Sequence, residues 1–169
     1  ILNLIPNPEK NPDYNKHGNF ITYSYFGATA RGFVGKRSRG VTIADEVAEY
    51  VKQSRPYPEN TLAVIDIGEN DINTTECIAS PVSCIAGVLQ AEQDSIKKLY
   101  ELNIRHFIVL TPASSNNYPY VVRTFTHQQQ QQLKLFYNSY AHQFLGLQQA
   151  VQTSMPGSEV LIVNAQLKE

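Results

Sequence analysis

The chain has no tryptophan, one methionine and two cysteines in 169 residues. Two cysteines with six residues between them rule out the C-x-x-C spacing of redox and zinc sites. Neither charge sign is in excess: 14 Lys and Arg stand against 15 Asp and Glu. The field needed to hold nucleic acid or an anionic membrane surface is therefore missing. No apolar run approaches the roughly 18–20 residues of a membrane-spanning helix. Glycine and proline, nine of each, are too few for a fibrous or disordered chain. What remains is the composition of one globular domain over residues 1–169.

Hydrophobic patterning gives the order of elements. Residues 1–18 are rich in Asn, Pro and Lys and read as loop. Residues 20–26, aromatic with Thr22 and Ser24 alternating, read as a strand. Gly27, Gly32, Gly35 and Gly40 mark a loop. Thr42 with Asp45 resembles a helix N-cap with an acid at its third position. Behind it Ile43, Val47 and Val51 form an apolar stripe, ended by Arg55-Pro56-Tyr57-Pro58. Residues 62–67 read as a short buried strand interrupted by Asp66, and 70–82 as a polar loop. A helix is expected over about 83–102, with Ile85, Val88, Leu89, Ile96, Leu99 and Leu102 inward. Residues 104–110 read as a strand stopped by Pro112. The longest stripe is Leu133, Tyr137, Tyr140, Phe144, Leu147 and Val151. The five glutamines 128–132 make the solvated start of that helix, and Met155-Pro156-Gly157 closes it. Residues 159–165 read as the last strand.

Such alternation predicts βαβ crossovers and a parallel sheet with helices on both faces. The expectation is an α/β protein, a three-layer α/β/α sandwich. A (β/α)8 barrel needs about 200 residues or more. In an open parallel sheet, ligands bind beyond the carboxyl ends of the strands. Three loops leave those ends: Gly27-Ala28-Thr29-Ala30, Gly68-Glu69-Asn70-Asp71, and Thr111 to Asn117. A glycine after a strand permits a tight turn with an exposed N–H. An asparagine beside it adds a second donor, and two converging donors suit a tetrahedral oxyanion. Ordinary strand-to-helix turning at Gly27 and Gly68, and an Asx-turn or cap at Asn70 and Asp71, are the structural alternatives.

Other catalytic signatures fail. There is no G-x-S-x-G and no H-E-x-x-H. Residues 30–37 resemble a phosphate loop only loosely, with Ala30 in place of the first Gly and Arg37 in place of Ser/Thr. His17, His106, His127 and His142 are scattered, without an acid at useful spacing. Asn73-Thr74-Thr75 forms a glycosylation sequon. Cys77 and Cys84 suit either a disulfide around a short loop, which implies an oxidising compartment, or two free thiols.

Gly68-Glu69-Asn70-Asp71, after the apolar run 63–67, resembles the third block, G-x-N-D, of the GDSL or SGNH hydrolases. Tyr25-Phe26-Gly27-Ala28-Thr29, whose glycine lies 41 residues upstream of Gly68, resembles the second block. Residues 104–112, 137–140 and 156–164 are similar in order and character to later elements, so the resemblance spans roughly 20–166. It implies a flavodoxin-like three-layer sandwich and a serine esterase or lipase working through an acyl-enzyme. It assigns Gly27 and Asn70 to the oxyanion hole, with Gly68 shaping the turn and Asp71 bracing the loop. It implies a small-molecule or lipid ester as substrate, no cofactor or metal, and a secreted or periplasmic setting. The family's G-D-S and D-x-x-H blocks are not matched, and Asp66 stands where the family has an apolar residue. Ser24, Ser114 and Ser115 lack the nucleophile's context. The expectation is the interior of such an enzyme, incomplete at both ends and inactive by itself. In the family the nucleophile strand runs between the strands matching 20–26 and 62–67, so its loss would leave open edges and marginal stability. The alternative is a binding module on the same fold. Oligomeric state is not readable.

Overall fold

The computed structural model describes residues 23–24, 27–32, 40–52, 60–72, 74–112 and 119–164. The strand expected over 20–26 lies outside these residues except for Tyr23 and Ser24, which are not in a strand. Among the described residues nine elements follow in order: α1 (Ile43–Lys52), β1 (Leu62–Asp66), α2 (Glu69–Ile72), α3 (Thr75–Ala79), α4 (Pro81–Glu101), β2 (His106–Leu110), α5 (Pro119–Thr124), α6 (His127–Ser154) and β3 (Glu159–Val163). The three strands form one parallel sheet in the order β1-β2-β3. The chain is thus a mixed α/β protein, an incomplete α/β sandwich.

The register explains the core. Ala63, Phe107 and Val160 align across the sheet, as do Ile65, Val109 and Ile162. Those rows point to one face, where α4 and α6 pack against each other and α6 lies along β3. Phe107, Val109, Val88, Ile96, Tyr137, Tyr140 and Phe144 belong to one buried cluster there. The aromatic stripe of α6 is stacked tightly, with Tyr140 and Phe144 ring centroids 4.7 Å apart at 81°. The opposite face differs from the two-sided covering expected. Leu62, Val64, Leu161 and Val163 are exposed on it, and no described element covers them.

Helix ends follow local chemistry. Thr126 caps α6, accepting from Gln129 N, while the Gln129 side chain accepts from Thr126 N at 2.8 Å. That reciprocal box starts the helix at the glutamine run. Thr42 and Asp45 make the corresponding pair at α1. Pro81 starts α4 two residues earlier than the stripe suggested, because proline suits the first helical turn. At its far end Asn103 takes φ 72°. Asn103 N donates to Tyr100 O and Ile104 N donates to Leu99 O, which is a Schellman closure. Ile104 is spent on that closure, so β2 begins at His106 rather than at 104.

One expectation about loops is corrected, and one left open is decided. The segment 70–82 is not simply loop but holds α2, α3 and the first residues of α4. Short helices form there because Gly68 O accepts from Ile72 N and the Thr74 side chain caps α3. Cys77 and Cys84 are joined in a disulfide with Cα atoms 5.1 Å apart, tying α3 to α4. Helix α5 went unread because Tyr120, Val121 and Val122 favour strands.

Candidate functional site

The site is built at the carboxyl end of β1. After Asp66 the chain passes through Ile67 to Gly68, whose φ is +100°. A side chain there would be strained, and a Cβ would meet Tyr140 Oη at 2.9 Å, Val88 Cγ1 at 3.0 Å and Pro112 Cγ at 3.4 Å. The turn is therefore pressed against α4, α6 and the start of the loop after β2. Of that third loop, Thr111 and Pro112 are described and buried, while 113–118 lie outside the described residues. Thr111 N donates to Val163 O at 2.9 Å, which fixes the loop to β3.

Gly68 launches α2, and α2 aims two side chains at the first loop. Asn70 Nδ2 donates to Ala28 O at 2.8 Å, across 42 positions of sequence. Asp71 is fully buried. Its Oδ2 accepts from Ala30 N at 2.7 Å and its Oδ1 from Arg31 N at 3.0 Å. The loop they grasp is itself ordered. Gly27 is buried with φ +82°. Thr29 N donates to Val41 O, Ile43 N donates to Thr29 O, and Gly32 N donates to Thr29 Oγ1. The structure thus brings Gly27, Gly68, Asn70 and Asp71 into one neighbourhood. Asn70 is attached one residue from Gly27.

The chemistry of this arrangement is donation. A carboxamide nitrogen carries two hydrogens. One of Asn70's is directed at Ala28 O, which orients the group and leaves the second for a ligand oxygen. Asn70 is exposed at the surface while Asp71 beneath it is not. Asp71 would oppose an anionic ligand if its charge stood open. Two backbone N–H donors absorb that charge and turn it into a brace. Burial raises the Asp71 carboxyl above the usual carboxylate range, and the bonds from Ala30 and Arg31 and the charge of Arg31 pull it back.

Several features here were missed in the sequence. Glu92 on α4 is fully buried, while Tyr140 on α6 is buried as its stripe predicted but was not expected to reach the site. Burial first, then the charges of Asp71 and Asp66, pushes the Glu92 carboxyl well up. Burial, then Glu92 and Asp71, does the same to the Tyr140 hydroxyl. The signal was present: position 92 falls in the apolar stripe of α4, four residues from both Val88 and Ile96. Gly87 is another. A Cβ there would come within 2.5 Å of Arg31 Nε, so glycine makes the space through which Arg31 crosses α4.

None of the described histidines enters the site. His106 Nδ1 lies 3.2 Å from Glu159 Oε2. Both residues begin their strands, so this pair sits at the opposite end of the sheet. His127 is bonded to Gln131 at the start of α6, His142 is exposed on α6, and His17 lies outside the described residues. Among the described residues no group of three His, Cys, Asp or Glu is placed to hold a metal ion. No described helix is long and apolar enough to cross a membrane. No protein-family model and no curated protein matches the chain.

Proposed function

We propose that this chain is part of a serine ester hydrolase of the GDSL or SGNH type and supplies its oxyanion hole through Gly27 and Asn70. The observation that carries this reading is the Asn70 amide fastened to the Gly27 loop by the bond to Ala28 O, with Asp71 stapling the same loop from below. A cap or Asx-turn would bond within its own loop. These side chains instead reach 40 residues or more along the chain, which is the work of holding two donor-bearing loops in register.

In the proposed reaction a serine oxygen attacks the ester carbonyl and a histidine takes its proton. The carbonyl oxygen becomes an oxyanion, and Gly27 N–H and Asn70 Nδ2–H stabilise it. The alcohol leaves, and water releases the acid from the acyl-enzyme. Serine, acid and base would come from G-D-S and D-x-x-H blocks on either side of the region described. The substrate class is a small-molecule or lipid ester, and no cofactor is invoked. The disulfide supports a secreted or periplasmic setting, since such bonds persist in oxidising compartments.

The test is to join the chain to its flanking coding sequence and assay it on aryl and acyl esters. Asn70→Ala should lower turnover on the order of 10²–10³ with little change in KM. Turnover retained within about threefold would remove Asn70 from the oxyanion hole. Ester binding without turnover in the parent would replace the hydrolase with a binding module.

A further inference from the structure

Three buried side-chain polar atoms have no hydrogen-bond partner among the described residues. They are both carboxyl oxygens of Glu92 and the hydroxyl of Tyr140. Tyr140 reaches to just below the turn, as its 2.9 Å approach to a Cβ on Gly68 shows. A carboxylate buried without donors takes up a proton rather than carry charge. Asp71 and Glu92 are not equal in this respect. Asp71 receives two backbone N–H bonds, and Glu92 receives none. Two like charges in one buried site do not ionise together cheaply. The anion therefore belongs on Asp71 and the proton on Glu92.

We propose that Glu92 is a positioning residue: held as the neutral acid, it lets Asp71 remain an anion that clamps Ala30 and Arg31 and so holds the Gly27 loop against Asn70. The consequence for catalysis rests on the oxyanion-hole reading; the clamp itself does not. The charges bearing on Glu92 come from Asp71 of α2 and Asp66 at the end of β1, and Tyr140 of α6 is the neighbouring hydroxyl. Helices α1 and α3 also pack on α4, and their charged groups are not among those acting on it. Among the described residues the cation acting on Asp71 is Arg31. If Glu92 ionised, its repulsion would fall on Asp71. Relief would come by Asp71 taking the proton, which removes an acceptor from one clamped amide, or by the loops parting.

The sign of the pH dependence follows. The folded state holds Glu92's proton well above its ordinary 4.5. The unfolded state releases it there. Glu92's contribution to stability is thus undiminished below 4.5 and declines as pH rises toward the folded value. Glu92→Gln keeps the shape and cannot ionise, so Glu92's share of the decline should vanish, leaving the shares of Asp66 and Asp71, whose carboxyls burial also raises.

The experiment follows the carboxyl carbons of Glu92 and Asp71 by ¹³C NMR across pH. It also follows the exchange protection of the Ala30 and Arg31 amides in the native chain and in Glu92→Gln. The expected result has Asp71 ionising first and Glu92 well above 4.5. As Glu92 ionises, protection of the two amides should fall about tenfold after correction for intrinsic exchange. In Glu92→Gln it should hold steady. Three results would each overturn the proposal: Glu92 ionising before Asp71, Glu92 titrating as an ordinary carboxylate, or superimposable protection profiles in the two proteins. A purely packing role for Glu92 predicts the last. Should Glu92→Gln not fold, the carboxyl titration of the native chain decides alone. No ester enters these measurements, so their failure is separate from any failure of the Asn70 assay.

Discussion

Replacing Gly68 by alanine tests how tightly the candidate site is built. Two costs add. The backbone sits at φ +100°, where a residue with a Cβ pays about 1–3 kcal/mol. The new methyl would also lie 2.9 Å from Tyr140 Oη and 3.0 Å from Val88 Cγ1. Tyr140 and Val88 are buried, at 1% and 0% exposure, so neither has open space to retreat into. Crowding of that kind costs about 1–3 kcal/mol. The sum predicts a loss of about 2–6 kcal/mol, read as a shift in the urea midpoint at constant slope. Pairing it with Tyr140→Phe separates the two parts. Removing the hydroxyl relieves the closest contact but leaves the backbone strain, so the double variant should recover about 1 kcal/mol relative to additivity. A loss below about 0.5 kcal/mol for Gly68→Ala would refute the reasoning, since that is the range of a surface change. A loss of full size with no coupling to Tyr140 would refute the crowding part and leave the strain.

Two further outcomes follow from local features. Replacing both Cys77 and Cys84 by serine opens a loop of sequence separation seven. Loop-closure entropy makes that worth about 2–3 kcal/mol, seen as a lower midpoint, with the native chain dropping equally under reductant. Thr126→Ala removes the capping box of α6 and should cost about 1 kcal/mol, with lost amide protection confined to the first turn near Gln129.

The helices were legible because their information is local. Ile43 and Val47 in α1, and the stripe from Leu133 to Val151 in α6, repeat at helical spacing and are buried as that spacing predicts, whereas Val51, the third member of the α1 stripe, is exposed in the last turn of that helix. The β1 and β2 runs were legible for the same reason, as short apolar segments between turns. Boundaries failed where a residue served two ends. Ile104 reads as strand by composition but closes α4 by its bond to Leu99 O. Helix α5 failed because β-branched residues at 121 and 122 mask it, and 70–82 failed because single local bonds, the Ile72 N–Gly68 O bond and the Thr74 cap, and not periodicity, wind its short helices.

By itself the sequence determined the parallel α/β pattern and the glycine turns, which follow from spacing and residue type along a few turns of chain. The pair Gly27 and Asn70 was put forward by the resemblance of the two loop motifs. Tertiary structure alone decided that Asn70 reaches Ala28, that Asp71 grips Ala30 and Arg31, and that Cys77 meets Cys84. It also decided which of the scattered acids act on one another. Asp66, Asp71 and Glu92 lie on three elements, and their interaction depends on distances that close only when the β1 loop packs onto α4. Spacing along a chain specifies a face, whereas electrostatic coupling depends on separation in space and on the water excluded from between.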